Sequence, residues 1–348
     1  MGDTKTMKVD AAHHRWLWAA LFAAYVLIPV LVTQDFWLKI LIYAGITAIG
    51  AIGLNLLTGN TGQLSLGHPF FMGIGAYTAG FVGQNMGLPF PLWMAAAIVV
   101  PALFGAIVAQ FALRLRGHYL VIVTFSLVLI GQHVFKNWTA VTNGAAGRPI
   151  QIGLDIFGWD VTRLQAISRD KVYFLVIWAF VAIIAYLTHN LVRSRVGRAL
   201  MAVRDREITA DVIGIDITYY KIAAFTISSG IGGVAGAFYG AFVQYTNPAE
   251  WSILLGVQYL AVIVVGGIGS VAGSIIGALV ITILPYGVEV FSPYVPLIAR
   301  NPGDPGIITL FALNQVLFGS VIILFLIFAP RGLADLLRRA VRRVAVRQ

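Results

Sequence analysis

The side chains in this sequence that could take part in chemistry gather in two stretches. The first is Thr58–Pro69, TGNTGQLSLGHP, in which Asn60, Thr61, Gln63, Ser65 and His68 are interleaved with Gly59, Gly62 and Gly67. Ser65 and His68 have the types of a nucleophile and its base, but no carboxylate lies nearby in sequence to orient the imidazole. The six histidines, His13, His14, His68, His118, His133 and His189, are scattered and offer no metal or acid–base set. The sequence contains no cysteine, which excludes disulfides, thiolate metal sites and cysteine nucleophiles. No catalytic residue and no metal site is assigned. Two readings remain: a segment whose polar groups line a path for a small solute, or a tight turn with glycines at positive φ and polar side chains as caps.

The second stretch runs over residues 193–220 and is the one long charged insert between apolar runs. Arg193, Arg195, Arg198, Arg204 and Arg206 are interleaved with Asp205, Glu207, Asp211 and Asp216. Arginines alone would suit anionic lipid; the added carboxylates suit a folded piece that meets protein. Val196, Ala199, Leu200 and Val203 fall on one helical stripe, and Ala210, Ile213 and Ile215 belong to a second turn or two that Gly214 can stop. Two short helices are expected, serving either as a docking surface for a cytoplasmic partner or as a connector on the membrane surface.

Long apolar elements must hold these stretches. The chain has 348 residues, 59% hydrophobic and only 11% charged, against ~25% charged in soluble domains, so it is an integral membrane protein. The net charge of +10 is spread between and after the apolar runs, a positive-inside pattern rather than one for nucleic acid. Ten runs are long enough to cross the bilayer: 16–33, 36–57, 69–83, 91–112, 118–136, 171–192, 221–243, 252–268, 271–290 and 309–329. Lys5, Lys8 and Arg15 precede the first run with no small-residue cleavage signal after it, so it reads as an uncleaved span.

With the amino terminus inside, Arg114 and Arg116, the 193–220 loop and the basic tail all fall on one face. In the tail, Leu333, Leu336, Leu337, Ala340, Val341 and Val344 form an apolar stripe flanked by arginines, which predicts an interfacial helix on the inner leaflet. The outside segment from Asn137 to Asp170 is long enough for a small surface element.

The Thr58–Pro69 stretch is too polar and glycine-rich to face lipid, where each unpaired backbone group costs several kcal/mol, so it must be buried in protein or line water. Pro69 is placed to begin the next helix. Small residues recur at helical spacing in three places: Gly75, Ala79 and Gly83; Gly232, Gly236 and Gly240; Gly269, Gly273 and Gly277. Such spacing allows close helix packing in lipid. Pro29 and Pro101 are candidate kinks. Lys39, Lys136 and Glu289 lie near span ends, and no ladder or mid-depth ionisable pair is visible. The sequence lacks a phosphate-binding G-x-x-x-x-G-K-[ST] loop, so energy for uphill transport would enter through another subunit.

Four stretches resemble one family. GLNLLTGNTGQLSLGHPFFMGIGAYTAG (Gly53–Gly80), SRVGRALMAVRDREITADVIGID (Ser194–Asp216), GIGGVAGAFYGAF (Gly230–Phe242) and VVGGIGSVAGSIIGALV (Val264–Val280) are similar to the inner-membrane permease subunits of ABC importers for branched-chain amino acids, the LivM type. The resemblance implies an all-α integral membrane protein of the BtuC-like (type II) importer kind, a polytopic bundle of about ten transmembrane helices. It implies one permease domain over 1–348, with an ATPase-coupling loop at 193–220 and a basic amphipathic cytoplasmic tail at 331–348. It further implies a second related permease, two ATP-binding subunits and a periplasmic binding protein, in a bacterial inner membrane with both termini cytoplasmic. No cofactor and no nucleic acid partner is expected, ATP being bound by the partner subunits.

By position, Gly197, Arg198, Leu200, Ala202, Val203, Arg204, Asp205, Glu207, Ala210 and Gly214 correspond to the coupling segment. Where importer permeases often read Glu-Ala-Ala-x-x-x-Gly, this chain keeps Ala210 and Gly214 but has Ile208 and Thr209. Gly59, Asn60, Thr61, Gly62, Gln63, Ser65, Gly67 and His68 are the candidates for the translocation path or gate. Relatives usually carry Thr-Gly-Gly where this chain has Thr142, Asn143 and Gly144; related permeases also serve urea, short amides and other amino acids. Outside the family, an ion-coupled secondary carrier would transport without nucleotide, a membrane enzyme would need a convergent catalytic set, and a scaffold would tolerate changes at the loop glycines.

Overall fold

In this computed structural model the residues described are 34–112, 119–156, 159–160, 168–291, 298–299, 308–328 and 332–336, with 25, 27, 29, 32 and 339 singly. Most of the first apolar run and of the 331–348 tail therefore lies outside the described residues, as does the expected uncleaved start. The next run becomes the post on which the bundle is built. Helix α1 (Asp35–Thr61) is apolar on every side, and 20 of its 27 residues are buried, which is what an all-round apolar helix requires. It ends where Gly62 turns into the left-handed region at φ 72°.

Helix α2 (His68–Gly80) begins with Pro69 in its first turn, as the sequence predicts, and runs into a single π turn at Phe81–Asn85. Then follow α3 (Phe90–Ala112), with Pro101 inside it, and α4 (Tyr119–Asn137). Helix α5 (Arg169–Arg193) leads to the charged insert. The insert forms the two short helices expected of it, α6 (Arg195–Asp205) and α7 (Glu207–Val212). The Ser194 hydroxyl caps α6 by accepting from the Gly197 amide at 3.4 Å. Gly214, at φ 84°, turns the chain out of α7. Helix α8 (Ile217–Val243) is followed by α9 (Ile253–Gly266), α10 (Val271–Phe291) and α11 (Leu310–Phe328).

The expected ten spans are not reached among the described residues. Five helices are long and apolar enough to cross a membrane (α1, α3, α4, α5 and α8), and α9 with α10 makes a sixth if that pair, bent by 119°, counts as one. Two causes lie behind this: most of the first expected run falls outside the described residues, and backbone geometry shortens or bends others. Helix α2 has 13 residues and α9 has 14, about 20 Å each at 1.5 Å per residue, well short of ~30 Å of hydrocarbon. Gly267 and Gly269 take φ of 124° and 80° and break the eighth run from the ninth, a reversal that apolarity alone does not reveal.

Close packing follows the glycines. A Cβ on Gly75 of α2 would strike the Gly233 backbone of α8, one on Gly236 would strike Met72, and one on Gly277 would strike the Val262 carbonyl. Lipid tails are as apolar as leucine, so these approaches are held by dispersion rather than by a solvent-driven effect. Outward, Leu103, Ile107 and Phe111 of α3, Ile122 and Ile130 of α4, and Leu187 of α5 are exposed, an apolar girdle suited to lipid.

The 137–170 segment forms a small surface element. The Thr142 hydroxyl donates to the Phe135 carbonyl at 2.6 Å and Asn143 Nδ2 to the Gly147 carbonyl at 3.0 Å. Arg148–Pro149 pairs antiparallel with Tyr245–Thr246, joining it to the end of α8.

Candidate functional site

The Thr58–Pro69 stretch is buried in protein, one of the two settings its polarity demands. Thr58, Asn60, Thr61, Gln63, Ser65 and His68 are all buried. Several of its groups satisfy local backbone: Thr58 Oγ1 donates to the Gln63 carbonyl at 3.1 Å, Thr61 Oγ1 donates to the Leu57 carbonyl, and Ser65 Oγ accepts from the Gly67 amide at 3.2 Å. Both amide atoms of Gln63 and Nε2 of His68 are buried without a hydrogen-bond partner. Such groups cost about 1–3 kcal/mol each when left unmet.

Two further contacts join this stretch to distant parts of the chain. Asn55 grips the α9–α10 reversal: its Nδ2 donates to the Gly267 carbonyl at 3.3 Å, the Ser270 carbonyl at 3.0 Å and Ser274 Oγ at 2.7 Å, while its Oδ1 accepts from the Gly269 amide at 2.7 Å. An amide donor on one side and carbonyl acceptors on the other fix which way the carboxamide points. Arg204 of α6 donates from Nη1 to the Gly59 carbonyl at 2.8 Å. A guanidinium at the carboxyl end of α1 meets an orphan carbonyl and the negative end of the helix dipole together.

His68 sits in a slot made by missing side chains. Its ring centroid lies 5.3 Å from that of Tyr259 on α9, tilted by 57°. A Cβ at Gly232 would stand 3.0 Å from His68 Cε1, and one at Gly50 would stand 2.6 Å from Tyr259 Cε1. Both rings need these glycines.

Next to that slot lies a cavity of about 260 Å³ lined by α1, α2, α8, α9, α10 and the loop after α8. Tyr43, Ile46, Thr47 and Gly50 follow i, i+3, i+4, i+7 spacing and so share one face of α1; the first three line the cavity and Gly50 receives Tyr259 at its floor. Leu255, Gln258 and Tyr259 face it from α9, and Ile281, Thr282, Pro285 and Tyr286 from α10. Glu250 lies in the loop between α8 and α9 and is half-buried. Its Oε2 accepts from the Asn247 amide at 3.2 Å, and the Tyr239 and Thr246 hydroxyls lie near enough to favour the charged carboxylate. Burial pushes its carboxyl above the usual carboxylate range, against the opposing effect of those groups.

The candidates from the sequence thus separate into layers. Gly59 and Gly62 lie under Arg204, since a Cβ on Gly62 would stand 3.0 Å from Arg204 Cγ. Asn60, Thr61, Gln63, Ser65 and Gly67 surround the connection to α2, and His68 alone reaches the floor of the cavity through Tyr259. Of the coupling candidates, Gly197, Leu200, Val203 and Ala210 are buried in this chain, Ala202 is half-buried, and Arg198, Arg204, Asp205, Glu207 and Gly214 are exposed.

Sequence reasoning passed over Tyr43, Tyr239, Glu250, Tyr259 and Tyr286. Their signal was the mixed polar and aromatic face of α1 and the lone carboxylate between two apolar runs, neither of which forms a contiguous motif. It also passed over Ile208 and Val212, which stand 83% and 82% exposed on α7 with Ile213 beside them at 67%.

The family model for the branched-chain amino acid transport system permease component matches residues 36–326. The high-affinity branched-chain amino acid transport system permease protein LivM of Salmonella typhimurium is 29% identical over 304 residues, covering 82% of this chain and 67% of that protein. The protein of the same name from Escherichia coli is 28% identical over the same length and coverage. No solved structure matches.

Proposed function

The chain belongs to the family of branched-chain amino acid transport permease components, and on that premise we propose that it is one membrane-spanning half of an ATP-driven importer for branched-chain or related small amino acids. A second, related permease completes the pore, two ATP-binding subunits power it, and a periplasmic binding protein delivers the solute. The basic clusters face the cytoplasm, which puts both termini inside a bacterial inner membrane. The chain itself is a transport subunit and not an enzyme.

One observation carries the reading: a partner-accessible surface is wired to the polar stretch. Ile208, Val212 and Ile213 form an exposed apolar patch on and just after α7. Its neighbour α6 is fixed in the chain by Leu200 and Val203 and reaches the end of α1 through Arg204. An ATP-binding subunit that grips α7 and moves it displaces Arg204, and with it Gly59 and the reversal held by Asn55. At the opposite pole the cavity opens beside Glu250, where a delivered solute enters. Polar groups such as Gln258 and Thr282 are costly against lipid, so this wall faces water and the partner permease.

Co-expression with candidate ATP-binding subunits, followed by reconstitution and uptake of leucine, urea and acetamide, tests the assignment. ATP-dependent leucine uptake is the expected result. Uptake driven by an ion gradient without nucleotide overturns it in favour of a secondary carrier, and ATP-driven uptake of urea or acetamide alone moves the substrate to the amide branch of the family.

A further inference from the structure

Glu250 is the carboxylate that lines the cavity, and the described residues around it supply no counter-ion. Among the described residues no lysine, arginine or histidine pairs with it. Two described cations at that pole are engaged elsewhere. Lys39 Nζ lies 3.8 Å from Asp170 Oδ2, and Arg169 Nη2 donates to the Ala241 and Phe242 carbonyls at 3.0 Å each, with its guanidinium over the Tyr173 ring. Around the Glu250 carboxylate stand Tyr43, Tyr239 and Tyr286, all lining the same space. A half-buried acid among aromatic faces attracts a cation twice, by charge and by the ring quadrupoles.

The rest of the lining is of a different kind. Ile46, Met72, Leu255 and Ile281 add apolar lining. The volume of about 260 Å³ lies below the ~300–1,000 Å³ of drug-sized sites, which suits a solute of roughly ten non-hydrogen atoms. The bottom is closed by Tyr259 in its Gly50 notch.

We propose that this cavity is a resting site for the transported solute, in which Glu250 receives a primary ammonium group within the tyrosine ring and the apolar lining receives an aliphatic side chain. The inference rests on the amino acid permease reading and sharpens it: the pore wall itself discriminates, selecting for the amine end of its substrate. The substrate carboxylate is met by neutral donors such as the Gln258 amide, since the described lining contains no basic side chain. Urea and short amides lack the ammonium and have no reason to rest there.

The test has two arms. In the first, the purified protein in nanodiscs is titrated with L-leucine, 3-methylbutylamine, which keeps the ammonium and loses the carboxylate, and 4-methylpentanoate, which does the reverse. Leucine and the amine bind, the carboxylate binds at least tenfold more weakly, and Glu250→Gln removes binding of the amine while leaving the melting temperature of the free protein unchanged or higher. In the second arm, leucine uptake by the whole transporter falls at least tenfold in Glu250→Gln and partly recovers in Glu250→Asp. Equal binding of amine and carboxylate, or wild-type leucine uptake by Glu250→Gln, overturns the site. Lost uptake with intact binding overturns it too, and assigns Glu250 to docking of the binding protein. If the wild-type transporter moves urea or acetamide and no amino acid, the function reading itself falls, an outcome separable from failure of the site.

Discussion

Arg204 Nη1 rests 2.8 Å from the carbonyl oxygen of Gly59, across 145 residues of sequence. The same guanidinium forms an ion pair with Asp205 at 2.9 Å, so its position is set from the charged insert and its hydrogen bond is spent on α1. Gly269, from a third segment, lies against the same point, its would-be Cβ 3.4 Å from the Gly59 carbonyl oxygen. Three parts of the chain meet at one backbone carbonyl.

Replacing Arg204 with methionine keeps the stem and removes the charge and the donor. The loss at a helix carboxyl end is on the order of 1–2 kcal/mol, small enough for the bundle to fold. The reconstituted transporter is expected to hydrolyse ATP while leucine uptake falls at least tenfold. Uptake that stays proportional to hydrolysis would show that Arg204 is not in the coupling route.

Asn55→Leu is close in size to the native residue but leaves the Gly269 amide without its acceptor. The expected destabilisation is about 1–3 kcal/mol, read as a lower melting temperature in detergent. Asn55→Asp keeps the acceptor and loses the donors to Gly267 and Ser270, so it should fall between the two. The order wild type, Asp, Leu is the check.

Gly50→Val drives a methyl into the Tyr259 ring, which is also packed against the His68 ring. Overpacking of this kind costs about 1–3 kcal/mol, and uptake should fall sharply. The double variant with Tyr259→Ala makes room again and should recover stability. Identical melting temperatures for the single and double variants would argue against the contact.

Ile208→Glu combined with Val212→Glu alters only side chains that stand in solvent, so the melting temperature should not move by more than about 0.5 kcal/mol equivalent. Co-purification of an ATP-binding subunit should be lost. Retention of that subunit would direct attention to Arg198 and the exposed side of α6 instead.

Burial raises the carboxyl pKa of Glu250, so the folded protein favours its protonated form. Stability of the free protein therefore gains as pH falls and is lost as pH rises through the folded pKa. Ammonium binding has the opposite sign, because it needs the carboxylate. Leucine binding should weaken on acidification beginning above the ordinary carboxylate range, and Glu250→Gln should abolish the inflection. The groups facing Glu250 are the hydroxyls of Tyr43, Tyr77, Tyr239 and Tyr286, with Asp170 beyond Tyr43, and no histidine among them would produce the same inflection.

The helical class, the two short helices of the insert, the break before Pro69 and the glycine contacts were legible because each has a local cause: a cap, a stop, a missing Cβ or a run of apolar residues. The count of ten spans is not confirmed among the described residues: Gly267 and Gly269 at positive φ bend the eighth run against the ninth, which apolarity alone does not show. The polar stretch could be read as buried in protein or lining water, because lipid forbids it, but not which of the two nor what it touches. The partners of Asn55 and Gly59 are more than a hundred residues away. The cavity was invisible for the same reason: six separate segments each contribute between one and four residues to it, and only folding brings Glu250 among the tyrosines.

The Asn55 clasp also sets an order of events during synthesis. The Ser270 carbonyl that it grips is 215 residues further along the chain, and translation at about 5–20 residues per second delivers it roughly 10–40 seconds after Asn55 leaves the ribosome. Throughout that interval α1 carries a buried-type carboxamide with none of its final acceptors made. The central post of the bundle is thus built first and locked last, and a nascent chain cut short before the reversal is marked as incomplete by one unmet side chain within the bilayer.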